Sequence, residues 1–240
     1  MSLPWQKYQQ DVAELFHSLG FAVELEKVVA GARGVHEVDV LARATFAGVA
    51  VTWVIECKLW QVAVSKEKVL VLAQVASDVG ADRGFLLSES GFQSGAMRVA
   101  ENTNVTLTSL PELLERAKEE LQKRQLLLLK QKAYRLQRGL HDLYILDDGS
   151  AGPPSGVERE VFLDQLASVF EIHSIALPRV EAASFPVRIS TGTCNKSFSD
   201  LTRFIAYADP ELDRVAVWLA SCAESLSKQS AVPRLSDSMK

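Results

Sequence analysis

The sequence predicts an α/β fold, with a mixed β-sheet flanked by helices in the order α-β-β-β-α-β, followed by a second α+β domain. Three observations predict it. Apolar residues recur at helical spacing near the N-terminus, alternating stretches follow, and helical patterns then interleave with short buried strands. At 240 residues with 48% hydrophobic content, the chain can bury the core of one large domain or two modest ones.

The first helix is predicted from apolar residues at helical spacing, with Ser2 as a candidate cap and Gly20 as the stop. These residues are Trp5, Tyr8, Val12, Leu15, Phe16 and Leu19. Residues 21–26 then alternate like a half-buried strand, and the sequence GARG at 31–34 breaks the chain. Residues 37–42 and 49–58 are predicted to form two more strands, and Ala47-Gly48 suits a two-residue turn between them.

The next elements alternate between helix and strand. Ser65 is predicted to cap a helix that runs to about Val79, and GFLLS at 84–88 is typical of a buried strand. Ser94 is a candidate cap for a short helix, residues 105–107 suit a short strand, and residues 110–138 suit one long helix that Gly139 ends.

The character of the sequence changes after Gly139. LYIL at 143–146 precedes the turn-rich DDGSAGPPSG at 147–156, which suits a loop or domain boundary. We expect a helix at 157–170, a β-rich middle containing Pro178 and Pro186, and helices at 199–208 and 210–226, with frayed residues after 227. The predicted domains are residues 1–115, a connecting basic helix at 116–139, and residues 140–240, whose role is unassigned.

Charge and cysteine usage narrow the class of protein. Residues 116–140 carry 8 basic and 2 acidic side chains, whereas the segments on either side are acidic. Such a run either lies against phosphates or, more commonly, forms a solvated helix face. Cys57, Cys194 and Cys222 have no zinc or disulfide spacing, and no leader or 18-residue apolar run occurs. We therefore expect a cytoplasmic protein without membrane contact.

The stretch WVIECKLW at 53–60 places two opposite charges in an apolar run. Side chains alternate along a strand, so Glu56 and Lys58 share one face while Cys57 points to the other, towards the core. In the preceding strand, Asp39 lies between two valines. If Ala47-Gly48 forms the turn, Asp39 falls directly opposite Glu56.

Two opposed carboxylates repel each other unless a cation lies between them, and hard oxygen ligands favour Mg²⁺ or Mn²⁺. Lys58 would then place a fixed positive charge beside the metal. Such a site suits phosphodiester hydrolysis, because the metal activates water and the lysine orients it or stabilises the transition state. The alternative is a surface salt bridge on a half-exposed sheet.

Four blocks in order carry a family resemblance: YQQDVAELFHSLGFAVE, GARGVHEVDVLA, VIECKLW and GADRGFLLSESGFQSGAMRVAENTNVTL. From Tyr8 to about Leu114 the chain resembles the catalytic domain of Mrr-like restriction endonucleases, within the PD-(D/E)xK nuclease superfamily. The resemblance implies a restriction-endonuclease-like sheet. Asp39 follows valine rather than the proline of the superfamily's name.

The resemblance also implies roles for residues. Asp39 and Glu56 would bind the divalent metal, the backbone carbonyl of Cys57 would be a further ligand, and Lys58 would assist the hydrolytic water. Gln9 stands where similar proteins often carry glutamate on the first helix. An amide is a weaker metal ligand than a carboxylate.

Three further side chains are accessory candidates. Arg33 and His36 either touch DNA phosphate or have no role, and Gln74 either reaches the active face or is solvated. The predicted function is a Mg²⁺-dependent endonuclease acting on double-stranded DNA, of restriction or defence type, with a homodimer as the economical way to cut both strands. The alternatives are a Holliday-junction-type nuclease and a non-catalytic DNA-binding or assembly module, which Gln9 favours.

Overall fold

The computed structural model describes residues 3–144, 152–153, 156–191 and 194–230. The chain divides into two compact units, Met1–Leu121 and Gln122–Lys240. Among the described residues, no helix is long and apolar enough to span a membrane.

The first unit is built on one five-stranded sheet. Its elements are α1 (Pro4–Ser18), β1 (Ala22–Ala30), β2 (Val35–Phe46), β3 (Val49–Lys58), α2 (Lys66–Asp78), β4 (Arg83–Ser88), α3 (Ser94–Ala100), β5 (Val105–Thr108) and the start of α4 (Leu110–Tyr144). The strands lie in the order β1-β2-β3-β4-β5. The first three are antiparallel, whereas β3, β4 and β5 are parallel. The predicted mixed α/β sheet flanked by helices is confirmed.

Each face of the sheet has its own apolar core. On one face, Tyr8, Val12 and Phe16 of α1 pack on alternate residues of the strands, among them Val40, Ala42, Ile55 and Leu87. On the other, Val69 and Leu72 of α2 pack with residues that include Val38, Leu41, Val54 and Leu86. The central strands are therefore buried on both sides, as their apolar sequence indicates.

The hairpin between β2 and β3 has the predicted register. Ala47 and Gly48 both adopt positive φ, +49° and +82°, as a two-residue turn between twisted strands requires. The pairing runs from Phe46↔Val49 to Val40↔Ile55. One step further, Asp39 and Glu56 do not continue the ladder, so the expected direct pairing of these two residues is not formed.

An irregularity in β1 and β2 lies at Asp39. Glu26, the residue of β1 that would face Asp39, has a φ of +46° and interrupts the pairing of the two strands. On β2, Val38 joins the core under α2 while Val40 joins the core under α1. Strict alternation would place Val38 and Val40 on one face. The chain therefore changes faces at Asp39.

Several predicted helix boundaries shift. Ser2 lies outside the described residues, and Leu3 is the residue that precedes α1. Gln93 rather than Ser94 precedes α3, whereas Ser65 does precede α2, without a side-chain capping bond. The boundary segment predicted at 147–156 lies mostly outside the described residues.

The second unit contains the remainder of α4, then α5 (Arg159–Phe170), a π-helical segment (Glu171–Ala176), α6 (Leu177–Glu181), β6 (Val187–Ser190), β7 (Asn195–Phe198) and α7 (Leu201–Ser230). The β-rich middle is confirmed only for the hairpin of β6 and β7. Pro178 instead lies in the first turn of α6, directly after the π-helical segment.

Two predicted helix ends in this unit are wrong. Helix α4 continues past Gly139, where an added Cβ would lie 2.8 Å from Leu219, so this glycine permits close packing rather than ending the helix. Helix α7 runs through Pro210 without a break. Buried residues on both sides of the proline, Phe204, Ala208, Leu212 and Val215, share one core, and this packing holds the two halves in line.

Candidate active site

Asp39 lies in a cleft of about 470 Å³ beside the end of β3. The side chains lining it come from α1, β1, β2 and the end of β3: Trp5, Gln9, Glu26, Glu37, Asp39, Cys57, Lys58, Leu59 and Trp60. The structure thus brings Asp39, Lys58 and Gln9, three of the predicted site residues, to one cleft.

The backbone of β3 fixes the Asp39 carboxylate. The N–H of Cys57 donates a hydrogen bond of 2.7 Å to Asp39 Oδ2, at the point where the ladder between β2 and β3 has stopped. One carboxylate oxygen is therefore oriented by the strand, and the other is left for a further partner. Cys57 packs with the α1 core, as predicted, and burial raises the pKa of its thiol.

Glu56 and Lys58 lie on the same face of β3, as predicted, and their side chains form an ion pair, which is the contact that the alternative interpretation expected. Their side chains are 27% and 18% exposed. Both line a second cleft of about 140 Å³, together with Glu37, Val38, Lys68, Val71, Leu72 and Val75. Glu37 and Lys58 line both clefts, so Asp39 and Glu56 lie in adjacent clefts that share these two side chains.

Burial raises the pKa of the Glu56 carboxyl above its usual value. The hydrogen bond from Lys58 opposes this shift, the charge of Asp39 adds to it, and the charges of Lys58 and Lys68 again oppose it. The negative charge of Asp39 therefore disfavours the ionised form of Glu56, although the two side chains line adjacent clefts.

The donors that the family resemblance implies are the carboxylates of Asp39 and Glu56 and the backbone carbonyl of Cys57. They are hard oxygen donors of the kind that Mg²⁺ and Mn²⁺ prefer. Among the described residues, no group of three or more His, Cys, Asp or Glu side chains could hold a metal. Gln9, only 7% exposed, lines the cleft of Asp39 together with Glu26 and Glu37.

The accessory candidates lie apart from the carboxylates. Arg33 and His36 both bind Asp78 at the end of α2, through Arg33 Nε at 2.7 Å and His36 Nε2 at 2.6 Å. The backbone N–H of Arg33 also donates to Asp78. These contacts clamp the loop between β1 and β2 to α2. Gln74 is exposed and lines neither cleft.

Sequence reasoning missed four residues of the two clefts: Trp5, Glu37, Trp60 and Lys68. Trp5 continues the apolar stripe of α1 in the sequence, yet its side chain is 42% exposed in the cleft, as is that of Trp60. Lys68 lies in the first turn of α2. A cation at that end of a helix opposes the helix dipole, but Lys66 lies in the same turn, so the sequence alone does not distinguish Lys68.

Comparison with known proteins identifies the first unit. Residues 1–117 match the Mrr_cat family model, described as restriction endonuclease. This match confirms the resemblance that the four sequence blocks carry. A search of curated proteins gave no match.

Solved structures with detectable similarity include a protein of unknown function, AF1548, at 18% identity and a TM-score of 0.39, covering 69% of this chain and 97% of that one. The DNA modification-dependent restriction endonuclease AspBHI aligns at 17% identity and a TM-score of 0.35, over 50% of this chain and 38% of AspBHI. MspJI restriction endonuclease, in complex with a 27-mer oligonucleotide, aligns at 20% identity and a TM-score of 0.31, over 48% and 26%.

Proposed function

We propose that this chain, whose residues 1–117 match the Mrr_cat family model described as restriction endonuclease, is a metal-dependent endonuclease of restriction or defence type that hydrolyses phosphodiester bonds in double-stranded DNA. The observation that carries the proposal is the arrangement at the end of β3. There Asp39, Glu56 and Lys58 line two clefts that share Lys58.

Each residue of the proposed site has its own role. Asp39, Glu56 and the backbone carbonyl of Cys57 would hold Mg²⁺ or Mn²⁺, which when bound supplies an activated water and shields phosphate charge. The Cys57 N–H keeps the Asp39 carboxylate in one orientation before any ligand arrives. Such pre-orientation lowers the cost of assembling the reactive geometry.

Lys58 supplies the positive charge of the proposed site. Its ammonium group is paired with Glu56, and the residue also lines the cleft of Asp39. From there it would orient the attacking water or stabilise the negative charge that grows on the phosphate oxygens in the transition state.

A second candidate function is a non-catalytic DNA-binding or assembly module with the nuclease fold. Gln9 favours it, because this buried amide shares the cleft with Asp39 at the place where a carboxylate would strengthen metal binding. An amide supplies a neutral carbonyl ligand, which holds a divalent cation less strongly than a carboxylate does.

A cleavage assay with wild-type protein separates these functions. Methylated, unmethylated and branched DNA would each be incubated with Mg²⁺, with Mn²⁺ and with EDTA. The proposal predicts cutting of linear duplex DNA with either metal and none in EDTA. Cutting confined to branched DNA would replace it with a junction nuclease, and DNA binding without cutting on any substrate would favour the non-catalytic module.

A further inference from the structure

The indole ring of Trp60 lies close to two lysine ammonium groups beside the candidate active site. The Nζ atoms of Lys58 and Lys68 each lie 5.6 Å from the centroid of its indole ring. This distance is within the range of a cation–π interaction, for which tryptophan is the best aromatic partner. Lys58 comes from the end of β3 and Lys68 from α2, so one ring holds ammonium groups from two elements in place.

The two lysines differ in their partners. Lys58 is paired with Glu56, whereas Lys68 forms no ion pair within the part of the chain that the structure describes. Lys68 is exposed and lines the smaller cleft beside Glu56 and Lys58. Its charge is therefore close to the candidate active site and available to an anion from solvent.

The position of Lys68 does not stabilise helix α2. Lys68 lies in the first turn of α2, where the helix dipole disfavours a cation and favours an anion. Holding a lysine there costs a small amount of helix stability. A bound anion would offset that cost, because it would neutralise the charge of the lysine.

We propose that Lys58, Trp60 and Lys68 form a subsite for a DNA backbone phosphate, in which Lys68 contacts a phosphate neighbouring the one that is cut. The inference rests on the proposed function and names how that site holds its substrate. The smaller cleft carries two carboxylates, Glu37 and Glu56, which balance the two lysines. A divalent cation held by Glu56 would leave the cleft positively charged towards the DNA.

The test measures DNA binding rather than cutting. Fluorescence anisotropy with a labelled duplex, in EDTA and again with Ca²⁺, would give the Kd of each protein over a range of salt concentrations. Lys68→Gln should raise the Kd about tenfold, as expected for the loss of one charged contact. It should also reduce the slope of log K against log salt by about 0.9, the value for one phosphate contact.

Matched control variants test whether the effect on DNA binding is specific to Lys68. Lys66→Gln removes the same charge from an exposed residue of the same helix that lines neither cleft, and should change neither quantity. Lys68→Arg keeps the charge and should keep the slope. Trp60→Leu, which removes the ring that holds Lys68, should weaken binding, while Trp60→Phe should restore most of it.

Equal affinities and slopes for Lys68→Gln and Lys66→Gln would overturn the subsite and leave the proposed nuclease standing if the wild type still cuts DNA. A wild type that binds no duplex under either condition would overturn both. Thermal melting of each variant would verify that the fold is kept, and Lys68→Arg supplies the comparison if Lys68→Gln is unstable.

Discussion

At the residue scale, the site depends on how one carboxylate is held. Asp39 is bound by the N–H of Cys57 and repels Glu56 across the boundary of two clefts. Gln9 faces the same cleft as Asp39 without adding a charge. Hydrogen bonding and charge therefore act on Asp39 in opposite senses, and substitutions can separate them.

Replacing Asp39 tests these two contributions in the absence of metal. Asp39→Asn keeps an oxygen acceptor for the Cys57 N–H and removes the repulsion, so its free energy of unfolding should be no lower than that of wild type. Asp39→Ala removes the acceptor and should cost about 1–3 kcal/mol. Urea unfolding of the three apo proteins measures this. A clear loss of stability in Asp39→Asn would show that the charge of Asp39 is structural.

Gln9 provides a test of metal affinity. Gln9→Glu would add a further carboxylate to the cleft that Glu26, Glu37 and Asp39 already line, so it should lower the Mg²⁺ concentration needed for half-maximal cleavage. It should also enlarge the rise in melting temperature that Mg²⁺ produces. Gln74→Glu, which adds the same charge on an exposed position outside both clefts, is the control. Unchanged metal dependence in Gln9→Glu would place Gln9 outside the metal site.

At the element scale, local sequence patterns determine much of the sheet but not its details at the site. The register of β2 and β3 follows from alternation and a two-residue turn, both of which are local properties, and it was predicted correctly. The change of faces at Asp39 was not, because it depends on the left-handed backbone of Glu26 in another strand.

Local sequence patterns also fail to determine where some helices end. Gly139 and Pro210 are strong local stop signals, yet both lie within helices because tertiary packing outweighs them. Asp39, Glu56 and Lys58 stand out in the sequence because they interrupt apolar strands, and the structure places them in two adjacent clefts. Lys68 and Trp60 were not grouped with them, because their contact joins the loop after β3 to a helix residue eight positions further along the chain.

The contacts that clamp the loop after β1 to α2 predict how the stability of the fold depends on pH. Arg33 and His36 hold the pKa of Asp78 below its usual value. A lowered pKa means that the native state favours the charged carboxylate, so this stabilisation is present at neutral pH and is lost as pH falls through the lowered value. Asp78→Asn should therefore lower stability at neutral pH and flatten its decline in acid.

Melting temperatures measured between pH 7 and pH 2 would test the clamp, with Asp11→Asn as a control in an exposed pair. A steep acid decline that survives in Asp78→Asn would contradict it. Gly31→Ala should weaken the same clamp, because the added Cβ would lie 2.3 Å from Asp78 Oδ2.

At the scale of the whole molecule, a double-strand break needs two cuts, and one site per chain makes a homodimer on DNA the economical arrangement. Within α4, Leu129 is buried in the core of the second unit, while Leu127 and Leu128 are about half exposed. This run of leucines therefore contributes both to the core of the second unit and to its surface. Several lysines of the predicted basic segment are engaged within the second unit, such as Lys132 with Asp209 and Asp213.

The exposed leucines provide the test of assembly. The double variant Leu127→Glu, Leu128→Glu should keep its melting temperature, because neither side chain is in the core, and should fail to dimerise on DNA. Light scattering with and without duplex measures this. A wild type that remains monomeric while cutting both strands would defeat the dimer, and a double variant that unfolds would assign these leucines to packing.

The central claim is that Asp39, Glu56 and Lys58 carry out metal-dependent cleavage of DNA. Single-turnover cleavage with Mg²⁺ tests it most directly, in the wild type and in Asp39→Ala, Glu56→Ala and Lys58→Ala, with exposed Glu101→Ala as the matched control. We expect each site variant to lose at least about 100-fold in rate while keeping its fold, and Glu101→Ala to cut like wild type. Cleavage by wild type in EDTA, or full activity in Asp39→Ala, would contradict the claim.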